Sequence, residues 1–476
     1  SEVRDSRTAR ASCWTGLRMS EYLDFLRTKE VVTPLRGTDR DVDINSKLFP
    51  HQRDTVEFLM RAGCGAAFLD TGLGKTAVEL EYSRLVHEQT NRPVLILCPL
   101  AVAQQHKREA VKFGVDAQVI RNRDQIQQGI NISNYEMLKN FSPSDFGGIV
   151  LDESSIIKSY GGKTSAALMQ FAQSIDWRLA ATATPAPNDH MELGQHSQFL
   201  GAMNSNEMLA RWFIADQTEM GRYRLKRHGI KSFWSWVASW SRMIGRPSDM
   251  GYSDDGYSLP NLNVHRHIVK TNMDEGAGEG EMFRRIEMSA TSLHTEKRRT
   301  AAIRAEKLRE LVYSNDECWV LWCDTDYEAD ALTSIIPDAV EVRGSMSPEM
   351  KEQRLNDFSL GNIRVLVTKP SVAGFGLNWQ HCSHTAFIGL SFSYESYYQA
   401  IRRFYRFGQQ KEVHCHIAMA ETELPIWQTV SRKADDHERM KLEMFAAMGR
   451  TVETRNIKNT YAPTMAANLP GFINAA

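Results

Sequence analysis

Short apolar runs alternate with polar, helix-like segments along most of this chain, and this alternation is the feature that most constrains its fold. In the first part of the chain the apolar runs occupy residues 65–70, 93–99, 117–120, 131–133, 147–153 and 177–185. Polar segments of helical length separate them, for example residues 76–88 and 103–112. Strands that alternate with helices favour a parallel sheet with helices on both faces, because each parallel connection has to cross the sheet.

A second series of the same kind begins near Glu317. Its apolar runs occupy residues 318–323, 339–344, 364–368, 385–390 and 412–419. Between the two series, residues 201–300 break the alternation with a Trp-rich helical stretch and an acidic, Gly-rich segment (273–281) that indicates an exposed loop. The sequence therefore predicts an α/β protein with two lobes, each a mostly parallel sheet with helices on both faces, plus a helical insertion.

These changes of pattern divide the chain of 476 residues, which is too long for one ordinary domain of roughly 100–200 residues. We expect an N-terminal extension (1–45), a first α/β lobe (46–200), a Trp-rich basic helical insertion (201–260), a linker and entry to the second lobe (261–300), the second lobe (301–430), and a C-terminal helix and tail (431–476).

Charge and hydropathy exclude several classes of protein. The 57 Lys and Arg residues nearly balance the 58 Asp and Glu residues, for a net charge of −1. Chains that coat themselves with nucleic acid nonspecifically are usually basic, so any nucleic-acid contact here has to be local. The longest apolar stretch spans about ten residues (94–103), whereas a bilayer span needs about 20. We therefore expect no membrane span.

The seven cysteines are scattered and form no CxxC pair. Their odd number and spacing argue against a disulfide framework and favour an intracellular, cytoplasmic protein. Zinc is an alternative use for one group of side chains, namely His381, Cys382, His384, His414, Cys415 and His416. Because paired metal-ligand spacing is missing, buried strand residues and surface histidines are the favoured interpretation.

The sequence DTGLGKT at residues 70–76 follows an apolar run and precedes a helix-like segment, which is the setting of a phosphate-binding loop. Its glycines would let backbone N–H groups turn toward phosphate oxygens at a helix N-terminus. Lys75 would reach the β and γ phosphates, and the Thr76 hydroxyl would bind Mg²⁺. The strict motif has one more glycine at the position of Leu69, so the generic pattern is incomplete here.

The sequence IVLDESS at residues 149–155 ends an apolar strand with two carboxylates. Open α/β sheets hold their ligands at the carboxyl ends of strands. Asp152 would hold Mg²⁺, usually through water, and Glu153 would accept the proton of the attacking water. An Asp-Glu pair is weak evidence alone, but its place beyond Lys75 in the same predicted sheet strengthens it.

The sequence QAIRRFYRFGQ at residues 399–409 offers three arginines. Arg403 and Arg406 are three residues apart and would lie on one side of a helix. An arginine that enters an ATP site from another lobe neutralises transition-state charge and contributes about 10³–10⁵ in rate. A solvated helical face is the alternative.

Taken in order, these motifs resemble those of superfamily 2 helicase-type ATPases, specifically the Swi/Snf class of DNA translocases, whose phosphate loop also lacks the first glycine. The resemblance also covers LFPHQRDTVEFL (48–59), LCPLAVAQQHKRE (97–109), ISNYEML (132–138), TATPAPNDHMEL (182–193), SLPNL (258–262) and VAGFGLNWQ (372–380). Arg402 stands where the class has Asp, and WSRMIGRPSD (240–249) replaces its double-Arg segment. These departures and the short insertions favour a compact translocase of prokaryotic or phage type over a nucleosome remodeller.

The resemblance implies two RecA-like lobes that close on ATP and Mg²⁺. The catalytic residues would be Lys75, Asp152, Glu153, Arg403 and Arg406. ATP contacts would come from Gln52 (on adenine), Thr71, Gly72, Leu73, Gly74, Lys75, Thr76 and Gly376, with the metal on Thr76 and Asp152. A nucleic-acid track across both lobes would include Gln104, Asn134, Thr182, Thr368 and Lys369.

Two basic stretches extend the possible nucleic-acid contacts. Residues 221–248 carry seven Lys and Arg and no acidic residue, and the predicted phosphate contacts are Arg222, Arg224, Lys226 and Arg227. The interleaved tryptophans, Trp234, Trp236 and Trp240, suit base stacking or the packing of a buried helix. The second stretch, residues 294–311, suits an amphipathic helix with a solvated face, with a DNA site as the alternative.

The expected function is that of an ATP-dependent translocase on double-stranded DNA, with room for a protein partner that recruits it to a DNA pathway. Two alternatives stay open. One is a true helicase that separates DNA or RNA strands, and the other is an ATP-gated clamp or assembly subunit that closes on nucleic acid without stepping.

Overall fold

The structure, a computed structural model, describes residues 31–99, 102–158, 162–215, 223–271, 290–373 and 378–456. The strands in chain order are β1 (Cys64–Leu69), β2 (Val94–Cys98), β3 (Ala117–Val119), β4 (Ile130–Asn134), β5 (Gly148–Asp152), β6 (Trp177–Ala181), β7 (Phe213–Ala215), β8 (Tyr223–Leu225), β9 (Ser241–Ile244), β10 (Leu262–Val269), β11 (Trp319–Trp322), β12 (Ala339–Val342), β13 (Val365–Thr368), β14 (His384–Phe387) and β15 (Val413–Ala420).

The α-helices connect these strands and cover the sheets. In chain order they are α1 (Pro50–Ala62), α2 (Lys75–Thr90), α3 (Ala103–Phe113), α4 (Lys163–Ala172), α5 (Leu193–Leu200), α6 (Ser205–Trp212), α7 (Ile230–Trp240), α8 (Ala290–Val312), α9 (Asp326–Ile335), α10 (Pro348–Ser359), α11 (Tyr394–Ile401) and α12 (Leu424–Asn456). Short 3-10 helices lie at Arg123–Gln125, Tyr135–Asn140, Pro143–Asp145, Ser154–Lys158, His190–Glu192, Arg227–Gly229, Pro247–Met250 and Glu421–Glu423.

Two parallel sheets organise the described residues. The first has the strand order β3-β4-β2-β5-β6-β1-β9, and the second has the order β10-β15-β14-β11-β13-β12. Neighbouring strands within each of these two sheets pair in parallel. Strands β7 and β8 form a separate antiparallel pair. This arrangement confirms the predicted fold class of two α/β lobes.

Helices cover both faces of each sheet, because alternate residues of a central strand point to opposite sides. In β1, Ala66 and Phe68 pack with residues of α4, α5 and α7, whereas Ala67 and Leu69 pack with residues of α1 and α2. The second sheet is likewise buried between two apolar clusters, one containing Trp322 and the other Trp319 and Leu321.

The edge strands come from segments that the sequence pattern did not assign to a sheet. Strand β9, within residues 201–260, pairs with β1, and β10, within residues 261–300, pairs with β15. Strand β9 has only four residues, and β10 is half-exposed along its length, so neither has the pattern of a long buried apolar run. The two sheets therefore extend into the segments predicted as an insertion and a linker.

The last helix joins the two lobes. Ile426 near the start of α12 packs in the core of the second sheet, whereas Met440, Met444 and Met448 pack in the first-lobe core beside Trp236 and Trp240 of α7. A helix rises 1.5 Å per residue, so α12 is long enough to reach from one lobe to the other. Among the described residues, no helix has the length and apolar character needed to cross a membrane.

Candidate active site between the two lobes

A cleft of about 310 Å³ separates the carboxyl edge of the first sheet from the segment that follows α11. The loop between β1 and α2 lies on one wall, and Arg403 and Arg406 lie on the other. The loop turns through Gly72 and Gly74, whose φ angles of 93° and 80° are in the left-handed region that favours glycine. A Cβ at Gly72 would lie 2.8 Å from Phe407 Cβ, so the loop and the second lobe are in close contact.

Lys75 begins α2 and points at two carboxylates at the end of β5, Asp152 in the strand and Glu153 directly after it. Its Nζ donates to Glu153 Oε1 at 2.8 Å and lies 3.2 Å from Asp152 Oδ1. Burial alone would lower the pKa of Lys75, but the charges of Glu153 and Asp152 raise it instead. Lys75, predicted to contact phosphate, is therefore held as a cation by the two carboxylates predicted to act in catalysis.

The conformation of Glu153 is unusual. Its φ of 56° puts a non-glycine residue in the left-handed region, at a cost of about 1–3 kcal/mol that tends to occur at functional sites. Besides Lys75, its carboxylate contacts Thr182, whose Oγ1 lies 3.4 Å from Glu153 Oε2. Thr182 directly follows β6, which lies between β1 and β5, and this order of strands brings the hydroxyl to the carboxylate.

A buried triad behind the phosphate loop escaped the sequence reasoning. His106 Nε2 of α3 lies 3.0 Å from Glu79 Oε2 of α2 and 3.5 Å from Asp152 Oδ2. Burial would lower the pKa of His106, but the hydrogen bond to Glu79 and the charge of Asp152 raise it to about 9. Among the described residues, Glu79, His106 and Asp152 form a group of three side chains of metal-ligating type, and their ligand atoms all lie within 4.8 Å of one another. The contacts of His106 with Glu79 and Asp152 connect α2 and α3 to the end of β5.

Gln52 occupies one end of the cleft but is held by the protein itself. Its Nε2 donates to the Leu73 carbonyl at 2.9 Å, and its Oε1 accepts from the Phe49 amide at 3.0 Å. Beside it, the rings of Tyr257 and Phe407 stack at 4.5 Å between centroids. Sequence reasoning missed this aromatic pair, because its members lie 150 positions apart and on different lobes.

Four of the remaining residues predicted for the ATP site, Thr71, Thr76, Arg403 and Arg406, line the same cavity as Lys75. Leu73, also predicted as an ATP contact, is instead buried in the first-lobe core and does not line the cavity. Burial lowers the pKa of Arg403 to about 10, against the opposing effect of Glu153. Burial also lowers the pKa of Arg406. Gly376 lies outside the described residues.

The residues predicted for the nucleic-acid track do not share one environment. Thr182 and Thr368 are fully buried, and the Thr368 hydroxyl donates to the Val342 carbonyl at 3.0 Å. Asn134 is also buried, and its side chain accepts a hydrogen bond from the Met137 amide at 3.2 Å.

Two further track residues reach the surface. Gln104 is exposed on α3, and half-buried Lys369 pairs with Asp326 at 3.0 Å.

The basic, Trp-rich segment separates into a packed part and an exposed part. Trp234, Trp236 and Trp240 are at most 1% exposed, which selects helix packing over base stacking. Arg224 and Arg227 are exposed, whereas Lys226 donates to the Ala210 and Arg211 carbonyls at the end of α6. Arg222 lies outside the described residues.

The second basic stretch forms α8, and two of its cations point inward. Arg304 is fully buried and pairs with Glu328 at 2.9 Å, and Lys297 pairs with Asp324 at 3.0 Å. The histidines considered for zinc lie elsewhere on the second sheet. His414 and His416 each meet a histidine of β10 across the strand pair, with ring nitrogens 3.2 Å and 3.0 Å apart.

Comparison with known protein families gives two matches in chain order. Residues 51–232 match the family model of the SNF2-related domain, and residues 303–408 match that of the helicase conserved C-terminal domain. No curated protein matches the chain. A solved structure described as the Sulfolobus solfataricus SWI2/SNF2 ATPase core in complex with dsDNA matches at 18% identity and a TM-score of 0.40, over 87% of this chain and 96% of that chain.

Proposed function

We propose that this chain, a superfamily 2 helicase-type ATPase of the Swi/Snf-like class, hydrolyses ATP in order to move along double-stranded DNA. Its SNF2-related and helicase C-terminal domains make it a nucleic-acid-stimulated ATPase that remodels or translocates nucleic acid.

The support for this activity is the composition of the cleft between the lobes. A glycine-rich loop, two carboxylates and two arginines from the other lobe line a single cleft. Phosphoryl transfer needs charge stabilisation and positioning more than covalent chemistry, and these residue types supply both. Because the arginines come from the second lobe, hydrolysis would depend on the distance between lobes.

Lys75 and Glu153 would exchange partners when ATP binds. In the structure Lys75 is held by Glu153 at 2.8 Å. The triphosphate would attract Lys75, which would release the Glu153 carboxylate to accept a proton from the attacking water. The left-handed backbone of Glu153 and its contact with Thr182 would keep the freed carboxylate at the end of β5.

The donors around the phosphate loop fit a magnesium ion. Thr76 offers a hydroxyl in the first turn of α2, and the Asp152 carboxylate lies 3.2 Å from Lys75 at the loop. Hard oxygen donors of this kind suit Mg²⁺, which shares its remaining positions between water and phosphate oxygens. Thr76 and Asp152 would hold the ion, which supplies charge neutralisation on the phosphates.

Arg403 and Arg406 would complete the site from the second lobe. Burial lowers the pKa of Arg403 only to about 10, so it stays a cation at neutral pH. Their charges would stabilise the transition state more than bound ATP. Opening and closing of the cleft with each hydrolysis event would then move the lobes along the duplex.

The test compares ATPase rates with duplex DNA, single-stranded DNA, RNA and no nucleic acid, and then measures displacement of the third strand from a DNA triplex. We expect the highest rate with duplex DNA, and ATP-dependent triplex displacement without unwinding of a forked duplex. The Glu153→Gln variant is the control without turnover. Unwinding of the fork would indicate a true helicase, and ATPase activity without triplex displacement would indicate a clamp.

A further inference from the structure

Asp70 is the first residue of the predicted phosphate loop (70–76), and its carboxylate is buried at the contact between the lobes. The side chain is 7% exposed. Its Oδ1 accepts a hydrogen bond of 2.7 Å from the backbone amide of Thr71, the next residue of the loop. This hydrogen bond connects the carboxylate to the backbone at the point where the chain leaves β1.

The other partners of Asp70 come from outside the first sheet. Arg402 Nη2 donates to Asp70 Oδ2 at 2.9 Å, and Lys441 Nζ of α12 donates to the same oxygen at 3.2 Å. The Tyr398 hydroxyl of α11 donates to Oδ1. We refer to Asp70, Tyr398, Arg402 and Lys441 as the Asp70 cluster.

The cluster is electrostatically interdependent. Burial would raise the pKa of Asp70, but Arg402 and Lys441 hold it well below its usual range. Burial would lower the pKa of Lys441, and the Asp70 charge raises it. A carboxylate taken out of water this completely needs its cations, so each member depends on the others.

Lys441 lies on α12 at the point where this helix packs on the first lobe. Its neighbours Met440 and Met444 belong to the apolar core around α7. The start of the same helix belongs to the core of the second sheet. A movement of one lobe relative to the other would therefore separate Arg402 of the second lobe from Asp70, whereas Lys441 lies on the part of α12 that packs on the same lobe as Asp70.

We propose that Lys441 is a positioning residue for ATP hydrolysis. Together with Arg402, Lys441 holds Asp70 in place when the lobes are closed, and through Asp70 it holds the phosphate loop in the conformation needed for hydrolysis. The inference rests on the proposed function, because it assigns a purpose to the phosphate loop. Arg402 then links the closure of the cleft to the loop, and Lys441 holds the same carboxylate from the first-lobe side.

The test compares three substitutions in the full chain. Lys441→Met removes the cation from Asp70 and keeps the length of the side chain. Lys441→Arg keeps the charge. Glu438→Gln is the matched control, because Glu438 is 64% exposed and pairs with Lys441 at 2.9 Å without contacting Asp70.

The first measurement is duplex-stimulated ATPase activity across a range of ATP concentrations. For Lys441→Met we expect kcat to fall roughly tenfold, equivalent to about 1.4 kcal/mol in activation free energy, with KM changed less than about twofold. Lys441→Arg is expected to retain most of kcat, and Glu438→Gln all of it. A loss confined to kcat is the signature of positioning, since a general loss of folded protein would not be rescued by the conservative change.

The second measurement is amide hydrogen exchange in the protein without nucleotide, which does not depend on activity. Peptides that cover residues 69–76 are expected to exchange faster in Lys441→Met, because the Thr71 amide loses a fixed acceptor. Peptides that cover β2 are expected to be unchanged. Glu438→Gln should resemble the wild type in both peptides.

The outcomes separate this inference from the proposed function. Unchanged kcat and unchanged exchange at residues 69–76 in Lys441→Met would overturn the inference while leaving the ATPase intact. Equal losses in Lys441→Met and Glu438→Gln, or faster exchange in both peptides, would overturn it in favour of general loosening of α12. A wild-type protein that hydrolyses no ATP would refute the proposed function, and the exchange result would still decide whether Lys441 controls the loop.

Discussion

Removing the phosphate-loop cation should destabilise the free protein as well as weaken nucleotide binding. Lys75 Nζ lies 2.8 Å from Glu153 and 3.2 Å from Asp152, and the three side chains are 16%, 16% and 5% exposed. Lys75→Ala leaves both carboxylates in the cleft without this cation. Breaking a buried ion pair on one side costs about 3–5 kcal/mol, and because water reaches this cleft we expect the lower end, about 3 kcal/mol.

A second substitution in the same protein separates this cost from ordinary loss of packing. Glu153→Gln removes one of the two negative charges and leaves Lys75 paired with Asp152. The double variant should therefore be less destabilised than the sum of the two single variants, with a coupling of about 1–3 kcal/mol. Glu153→Gln alone should bind ATP but hydrolyse it at a small fraction of the wild-type rate, because it keeps Lys75 and loses the proton acceptor.

Thermal unfolding of the four proteins without nucleotide measures this cycle, and nucleotide titration measures binding. At about 2–4 °C per kcal/mol for a unit of this size, Lys75→Ala should melt roughly 6–12 °C below the wild type. Melting temperatures that add without coupling would show that Lys75 is not paired with Glu153 in the free protein. Wild-type turnover by Glu153→Gln would remove Glu153 from the role of proton acceptor.

Three further expectations follow from the geometry of the other lobe, the surface and the core. Arg406→Ala should bind ATP and DNA nearly as well as the wild type, but its duplex-stimulated ATPase rate should fall roughly 10³-fold or more. Arg406→Lys should not restore the rate fully, because lysine lacks the planar fork of arginine. A near-normal ATPase rate in Arg406→Ala would show that the second lobe does not complete the site. The double variant Arg224→Glu, Arg227→Glu should bind duplex DNA more weakly, and the slope of log affinity against log salt concentration should fall by about two. Its ATPase rate in the absence of DNA should not change. An unchanged salt slope would show that these two residues form a solvated face. Burial lowers the pKa of His196 to about 4, so the unfolded chain binds more protons than the folded protein between about pH 6.5 and 4. The free energy of unfolding should therefore fall by up to roughly 3 kcal/mol as the pH is lowered through this window. Urea unfolding of His196→Gln should show a flatter pH dependence, and the same pH dependence as the wild type would refute this assignment.

Local sequence determined the parts of the site that depend on one strand and the turn after it. The apolar run of β1 followed by Gly72 and Gly74 favours a strand, a turn with left-handed residues and a helix start. The run of β5 followed by Asp152 and Glu153 places two carboxylates at the end of a buried strand. Parallel strands end at a common edge, so the sequence alone was enough to predict these two loops as neighbours.

The pairing of Arg403 and Arg406 with one cleft was predictable from their spacing and from the resemblance of the motifs, but other contacts were not. The burial of Trp236 depends on α12, which lies some 200 positions away in sequence. The alternation of basic and aromatic residues is the same for a stacking surface and for a packed helix. Only the position of the covering helix distinguishes the two.

The Asp70 cluster and the triad of Glu79, His106 and Asp152 were decided by tertiary structure alone. Asp70 meets Lys441 across 371 positions, and the contact of Glu79 with His106 depends on how α2 and α3 pack against the sheet. A charged residue in an amphipathic or mixed segment is expected to face water, and its sequence neighbours do not reveal a buried partner. Hydrophobic periodicity fixes which face of an element is buried, whereas the pairing of buried charges depends on three-dimensional distances that no local pattern encodes.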